Sequence, residues 1–266
     1  MGENSTSNAW LEILRFPLDT RSKKPRHKGL TMLLDKGLGP EETKDLFHAA
    51  GDYIDFLKLG FGTSALYPQK ALEAKIDLAK QFNVDIYPGG TFLEIAIMQD
   101  KLKEFLMLAK ALGYTAVEVS DGTLHISPEV RARTISLAAE KGFKVLTEIG
   151  KKNPLDRAPI EDSAEQIQLD LKNGAYKVIV EGRESGKNTG FYDGDGHFTK
   201  EHLALLLSAV ESPELLIWEA PLKEQQQELI LRFGPDVNLG NIPPREVIAL
   251  EALRVGLRSD TLRSVI

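Results

Sequence analysis

The chain has 266 residues, 42% of them hydrophobic, which is enough to bury one large core. Its formal net charge is −6 with both signs well mixed, which argues against a nucleic-acid partner, since such a partner needs a basic stripe. Without cysteine it has neither disulfides nor thiolate metal ligands, and no run approaches the roughly 18 apolar residues of a membrane span.

The start, MGENSTSNAW, lacks the apolar segment of a secretory signal, so a cytoplasmic protein with no membrane partner is expected. Residues 1–28 read as an N-terminal arm. Trp10, Leu11, Leu14 and Phe16 are available to dock it on the body or on a neighbouring subunit. The basic turn 23–29 reads either as a solvated loop or as one edge of an anion site.

From Gly29 onward two patterns alternate. Short apolar runs at 29–35, 54–60, 84–90, 115–122, 144–149, 176–182, 214–220 and 237–242 have the length of strands buried on both faces. Apolar residues at helical spacing fill 37–51, 68–82, 91–113, 127–142, 159–174, 198–210, 221–234 and 243–259, with 91–113 reading as one or two helices. Punctuation agrees: Pro68, Pro128 and Pro221 open helices, Ser127 is an N-cap, and Gly51, Gly174 and Gly234 close them. The longest irregular stretch is 183–197; its DGDGH segment at 193–197 has glycines that suit a lid better than a calcium loop, because it lacks the spaced ligands and closing Glu. The alternation predicts a single-domain (β/α)8 TIM barrel over 29–266. An open doubly wound sheet is disfavoured because no G-x-G-x-x-G follows the first strand.

In such a barrel the active site lies at the carboxyl ends of the strands. Those ends carry Asp35 and Lys36, then Lys58, then Glu118, Ser120 and Asp121. Next come Glu148 with Lys151 and Lys152, then Glu181, Arg183 and Glu184, then Glu219, and last Asn238 and Asn241. A buried carboxylate is costly unless paired or metal-bound, so acids recurring at matching places suggest one shared site. Glu118, Glu148 and Glu181 come from neighbouring strands about 4.8 Å apart and can converge on one cation. An oxygen-only set favours Mg²⁺ or Mn²⁺ over Zn²⁺. A network pairing these acids with Lys58, Lys151 and Arg183 is the alternative, and Glu219 reads as a supporting acid. The cationic half of the mouth lies beside small-residue backbone at 60–64 and 239–242, which suits an oxyanion such as phosphate. The five histidines have no triad spacing, and His125 reads as a surface residue.

Taken together, KPRHKGLTMLLDKGLG, GDYIDFLKLGFGTSALYP, VEVSDGTLHI, TEIGKK, IVEGRESG, IWEAP and VNLGNI resemble the phosphosulfolactate synthase family from about Lys24 to the end. The resemblance implies a (β/α)8 barrel and a Mg²⁺-dependent lyase that adds sulfite to phosphoenolpyruvate, giving (2R)-phospho-3-sulfolactate. In methanogens that step begins coenzyme M synthesis. It also suggests a homo-oligomer such as a trimer. On that footing Glu118, Glu148 and Glu181 would be the metal ligands, and Lys151 the general acid with Lys58 as second choice. An amine flanked by other cations would have a lowered pKa suited to that work. Glu148 joins Lys151 and Lys58 as a catalytic residue. Asp35, Lys58, Arg183, Asn238, Gly240 and Asn241 would bind substrate. The family includes plant heat-stress-associated relatives, so two other readings stay open. One is a different lyase or isomerase on a phosphorylated enolate; the other is a non-catalytic heat-stress role.

Overall fold

A computed structural model describes residues 8–150, 159–187, 191–193, 195, 197, 198 and 200–264. The strands are β1 (Thr31–Asp35), β2 (Phe56–Leu59), β3 (Asp85–Pro88), β4 (Ala116–Val119), β5 (Lys144–Ile149), β6 (Lys177–Val180), β7 (Leu216–Glu219) and β8 (Leu239–Ile242). They pair in parallel in the order β3-β2-β1-β8-β7-β6-β5-β4. The ends of this order meet where the Thr115 N–H donates to the Ile86 carbonyl at 3.2 Å and the Ile86 N–H donates to Thr115 Oγ1 at 3.1 Å. That closes a (β/α)8 TIM barrel.

The helices are α1 (Pro40–Ala50), α2 (Gln69–Gln81), α3 (Gly90–Met98), α4 (Leu102–Leu112), α5 (Pro128–Glu140), α6 (Ile160–Lys172), α7 (Lys200–Ser208), α8 (Lys223–Phe233), α9 (Val247–Arg254) and α10 (Ser259–Leu262). Local signals act as the sequence predicts. Ser127 Oγ accepts from the Val130 N–H with Pro128 at N1, and Gly113 ends α4 at φ +98°. The 91–113 stretch is two helices. The predicted helix 243–259 is divided, because Gly256 turns left-handed at φ +77° and starts α10 in a new direction. None of the described helices is long and apolar enough to cross a membrane.

Two apolar layers follow from strand geometry. Successive residues of a strand face opposite sides, so one set meets the helices and the other fills the barrel. The inner set is Met32, Phe56, Tyr87, Ala116, Leu146, Ile179 and Ile217, one from each of β1–β7, all buried. In β8 the matching place belongs to Gly240. A Cβ there would lie 2.4 Å from Met32 Cε and 3.2 Å from Ile217 Cγ2. Gly240 is therefore a packing position that makes room for Met32.

The amino ends of the strands are sealed by polar stitching. Asn238 precedes β8: its Oδ1 accepts from the Leu30 N–H at 2.9 Å, and its Nδ2 donates to the carbonyls of Glu214 and Leu216. It thus lies at the opposite end from the mouth, which overturns its expected role in substrate binding. The basic turn is at the same end, where Lys24 and Arg26 are tied to the barrel while Lys23, His27 and Lys28 are exposed. Lys24 Nζ donates to the carbonyls of Gly51, Ile54 and Phe82, and Arg26 forks onto Asp55.

Candidate active site

Two residues beyond each member of the inner layer, the same strand faces form the floor of the mouth. Leu34, Lys58, Gly89, Glu118, Glu148, Glu181 and Glu219 all line one cleft of about 570 Å³. The period-2 rule thus converts an apolar ring into a charged one across a single repeat.

Lys58 stands in the middle. Its Nζ lies 2.9 Å from Glu118 Oε2, 3.3 Å from Glu148 Oε2 and 3.3 Å from Glu219 Oε1. Burial pulls this ammonium down, but the three carboxylates outweigh burial and hold its pKa well above the ordinary lysine value. The expectation of a lysine flanked by cations with a lowered pKa is therefore corrected for Lys58. Lys151 and Lys152 lie outside the described residues.

Each acid has its own mooring. Glu118 Oε1 accepts from the Gly90 N–H at 2.8 Å, at the N-terminus of α3, where the helix dipole favours an anion. Glu219 Oε2 accepts from the N–H groups of Gly182 at 2.9 Å and Arg183 at 3.1 Å. Burial raises its pKa to about 7, aided by Glu148 and Glu118 and opposed by Lys58. Glu181 Oε1 accepts from the Arg183 N–H at 2.7 Å. Glu148 is fixed through its backbone: its carbonyl accepts from Arg131, whose guanidinium is buried against Asp170 at 2.6 Å.

Among the described residues, the acids that each bring one oxygen within 4.8 Å of one another are Glu148, Glu181 and Glu219. Glu118 is not in that trio; its two oxygens turn to α3 and to Lys58. The cluster therefore differs from the expected set of Glu118, Glu148 and Glu181 in holding Glu219 in place of Glu118.

Asp35 does not reach the mouth. It is fully buried, its Oδ2 2.6 Å from Lys75 Nζ and its Oδ1 accepting from the N–H groups of Gly37 and Leu38. That assigns it to the β1–α1 turn and removes it from the substrate contacts. Arg183 and Asn241 do line the cleft, joined by Asn241 Nδ2 donating to the Arg183 carbonyl at 3.3 Å. Asn241 Oδ1 is buried with no protein partner among the described residues.

Sequence reading missed two supports. Glu94 accepts from Ser120 Oγ and from the N–H groups of Thr123 and Leu124, holding the β4–α5 loop. Arg131 braces β5. Glu94 stood as the lone acid in the apolar stretch TFLEIAIM, and that anomaly was the available signal. Gly90 is a third critical position. A Cβ there would lie 2.4 Å from Ser120 Oγ and 2.6 Å from Glu118 Oε1. Gly90→Ala is expected to cost about 1–3 kcal/mol in urea denaturation by overpacking, with wild-type stability counting against this tight approach.

Comparison with known proteins agrees with the barrel and shows the family. A family described as (2R)-phospho-3-sulfolactate synthase (ComA) matches residues 19–260. The phosphosulfolactate synthase of Methanothermobacter thermautotrophicus is 45% identical over 252 residues, covering 94% of this chain and 97% of that protein. That of Methanocaldococcus jannaschii is 46% identical over 240 residues, covering 90% and 95%. Among solved structures, 3-hexulose-6-phosphate synthase from Salmonella typhimurium shares the fold at TM-score 0.58 and 13% identity, covering 86% of this chain and all of that one. A match this long and this identical, on a barrel with an intact charged mouth, makes the chain an enzyme of the (2R)-phospho-3-sulfolactate synthase family.

Proposed function

We propose that the chain adds sulfite to C3 of phosphoenolpyruvate, giving (2R)-phospho-3-sulfolactate. The observation that carries this reading is the Lys58 ammonium ringed by buried glutamates at the cleft floor, in a chain matched from 19 to 260 by that family. Sulfite sulfur supplies the electron pair for the new C–S bond. The C2–C3 π pair moves toward C2 and the carboxylate, and C2 then takes a proton. Negative charge thus builds on the carboxylate as the bond forms. A fixed ammonium in a site screened from water stabilises such charge strongly. Lys58 fits that task, because its neighbours keep it protonated. Arg183, exposed at the rim, fits an incoming anion such as phosphate or sulfite. The proton donor is assigned to Lys151 on family resemblance alone.

Glu148, Glu181 and Glu219 each offer a carboxylate oxygen within 4.8 Å of the others, the hard donor type that Mg²⁺ takes. Bound there, the ion would supply Lewis-acid stabilisation of the same developing charge. Enzyme stripped with EDTA is expected to gain several degrees of melting temperature on adding MgCl₂, because a ligand that binds only the folded state stabilises it. The gain should vanish in Glu181→Gln; an equal gain in that variant would remove Glu181 from the ligand set.

The activity itself is tested by following phosphoenolpyruvate with ³¹P NMR in MgCl₂, with and without sulfite. Sulfite-dependent conversion to one new phosphate ester is expected. Loss of substrate at the same rate without sulfite would favour a different lyase or isomerase on the phosphorylated enolate.

A further inference from the structure

The backbone of this chain is strained where the cleft opens. Among the described residues, five other than glycine have positive φ: Phe61, Asn83, Asp100, Arg183 and Asn241. Asn83 and Asp100 follow helices α2 and α3, and their side-chain types tolerate the left-handed region. The other three all line the cleft. Phe61 is the most unusual, since a bulky aromatic at φ +56° is a true outlier. Strain of this kind persists only where the surroundings enforce it, and it gathers at functional sites.

The enforcement is visible. Both the N–H and the hydroxyl of Thr63 donate to the Gly60 carbonyl, at 3.0 and 2.8 Å. Ser64 Oγ accepts from the buried Tyr114 hydroxyl at 2.9 Å. The turn is thus pinned on the side that follows Phe61, and Gly62 takes φ +67°. What the strain accomplishes is to present the Phe61 ring at the rim, 61% exposed. A single exposed aromatic needs no explanation by itself. One held there at conformational cost, lining the same cleft as Phe92 and Ile95, does.

We propose that Phe61 is the apolar cover of this site, its ring turning over bound substrate to shut water out from Lys58 and the glutamates. This rests on the reading of the cleft as a site for phosphoenolpyruvate. The chemistry gives the cover its purpose. Fixed charges act far more strongly on developing negative charge once water is excluded. The lining joins charged side chains at the floor to the apolar Phe61, Phe92 and Ile95. A substrate with anionic groups and a vinyl methylene edge matches that division. The backbone stays fixed and only the side-chain torsions move, so the cover needs no rearrangement of the loop.

The test uses the full-length enzyme with MgCl₂ and phosphoenolpyruvate. Glycine prefers the left-handed region, so Phe61→Gly should melt at or above the wild-type temperature. Its kcat/KM should nevertheless fall at least about tenfold, mostly in kcat, while Phe61→Leu recovers most of the loss. A merely structural residue would not lose turnover while gaining stability. Independently, Phe61→Trp should shift its emission to the blue and lose acrylamide quenching on adding phosphoenolpyruvate, read against the wild-type background of Trp10 and Trp218. The inference falls if Phe61→Gly keeps kcat/KM within about twofold of wild type, or if the quenching of Phe61→Trp is unchanged by ligand. Should the wild type itself show no sulfite-dependent turnover, the proposed activity fails, and the quenching result alone decides the cover.

Discussion

Replacing Lys58 with methionine is expected to lower turnover by at least about a hundredfold and to destabilise the barrel by about 3–5 kcal/mol. The first effect follows from removing the fixed ammonium from the place where charge would develop. The second follows from its neighbours. Glu118, Glu148 and Glu219 are all buried and all within 3.3 Å of Lys58 Nζ. Without it they face one another in a medium that solvates charge poorly. They will respond by taking up protons, which limits the damage at low pH. The sign is then fixed: the folded variant binds more protons than the unfolded chain, so its stability must fall as pH rises above the usual carboxylate range. Denaturation of Lys58→Met at pH 5.5 and 8 checks this, with the larger deficit expected at pH 8. Lys58→Arg serves as the control. It keeps the charge but not the compact ammonium, so it should recover stability more than turnover. If Lys58→Met keeps most of its activity, the electrostatic account of the cleft is wrong.

Asp35→Asn is expected to be nearly as destabilising, for a reason unconnected with catalysis. Lys75 Nζ is fully buried and is held by Asp35 Oδ2 at 2.6 Å, by the Leu38 carbonyl at 2.8 Å and by Thr43 Oγ1 at 2.8 Å. Burial already lowers the Lys75 pKa, with Asp35 opposing the fall. Removing the carboxylate leaves a buried cation without its counter-ion, a loss of about 3–5 kcal/mol. At roughly 2–4 °C per kcal/mol for a chain of this size, the melting temperature should drop by about 10 °C. The KM for phosphoenolpyruvate, assayed well below that transition, should stay near the wild-type value. A large rise in KM at unchanged melting temperature would return Asp35 to the substrate site. The double replacement Asp35→Leu with Lys75→Met should restore much of the stability, since a whole buried pair is often replaceable by apolar groups where half of it is not.

These two lysines show how far sequence reading reaches. Both are charged residues amid apolar neighbours, and both are buried by pairing with acids. Lys58 was legible as a site residue because it interrupts a strand buried on both faces. Lys75 was not singled out, because on an amphipathic helix a lysine is ordinarily solvated. The acids at 118, 148, 181 and 219 were legible on the same logic as Lys58. Lys58 as their counter-ion was legible as one of two alternatives; their backbone partners were not, since the contacts of Glu118 with α3 and of Glu219 with the Gly182–Arg183 backbone cross between elements.

The sequence alone determined the barrel and the strand ends that bear charge, because alternating short and long periodicities leave few other ways to bury so much apolar surface. Which of those residues face the cleft was decided only in three dimensions. Leu34 registers with Lys58 across β1 and β2, so Asp35, one residue further, must face the helices. Asn238 and Asn241, three positions apart, finish at opposite ends of the same strand, and Asn241 reaches the cleft against strict alternation because its φ is +54°. The reason is geometric: a strand's direction and parity set where a side chain points, and both are fixed by pairing with neighbours distant in the chain.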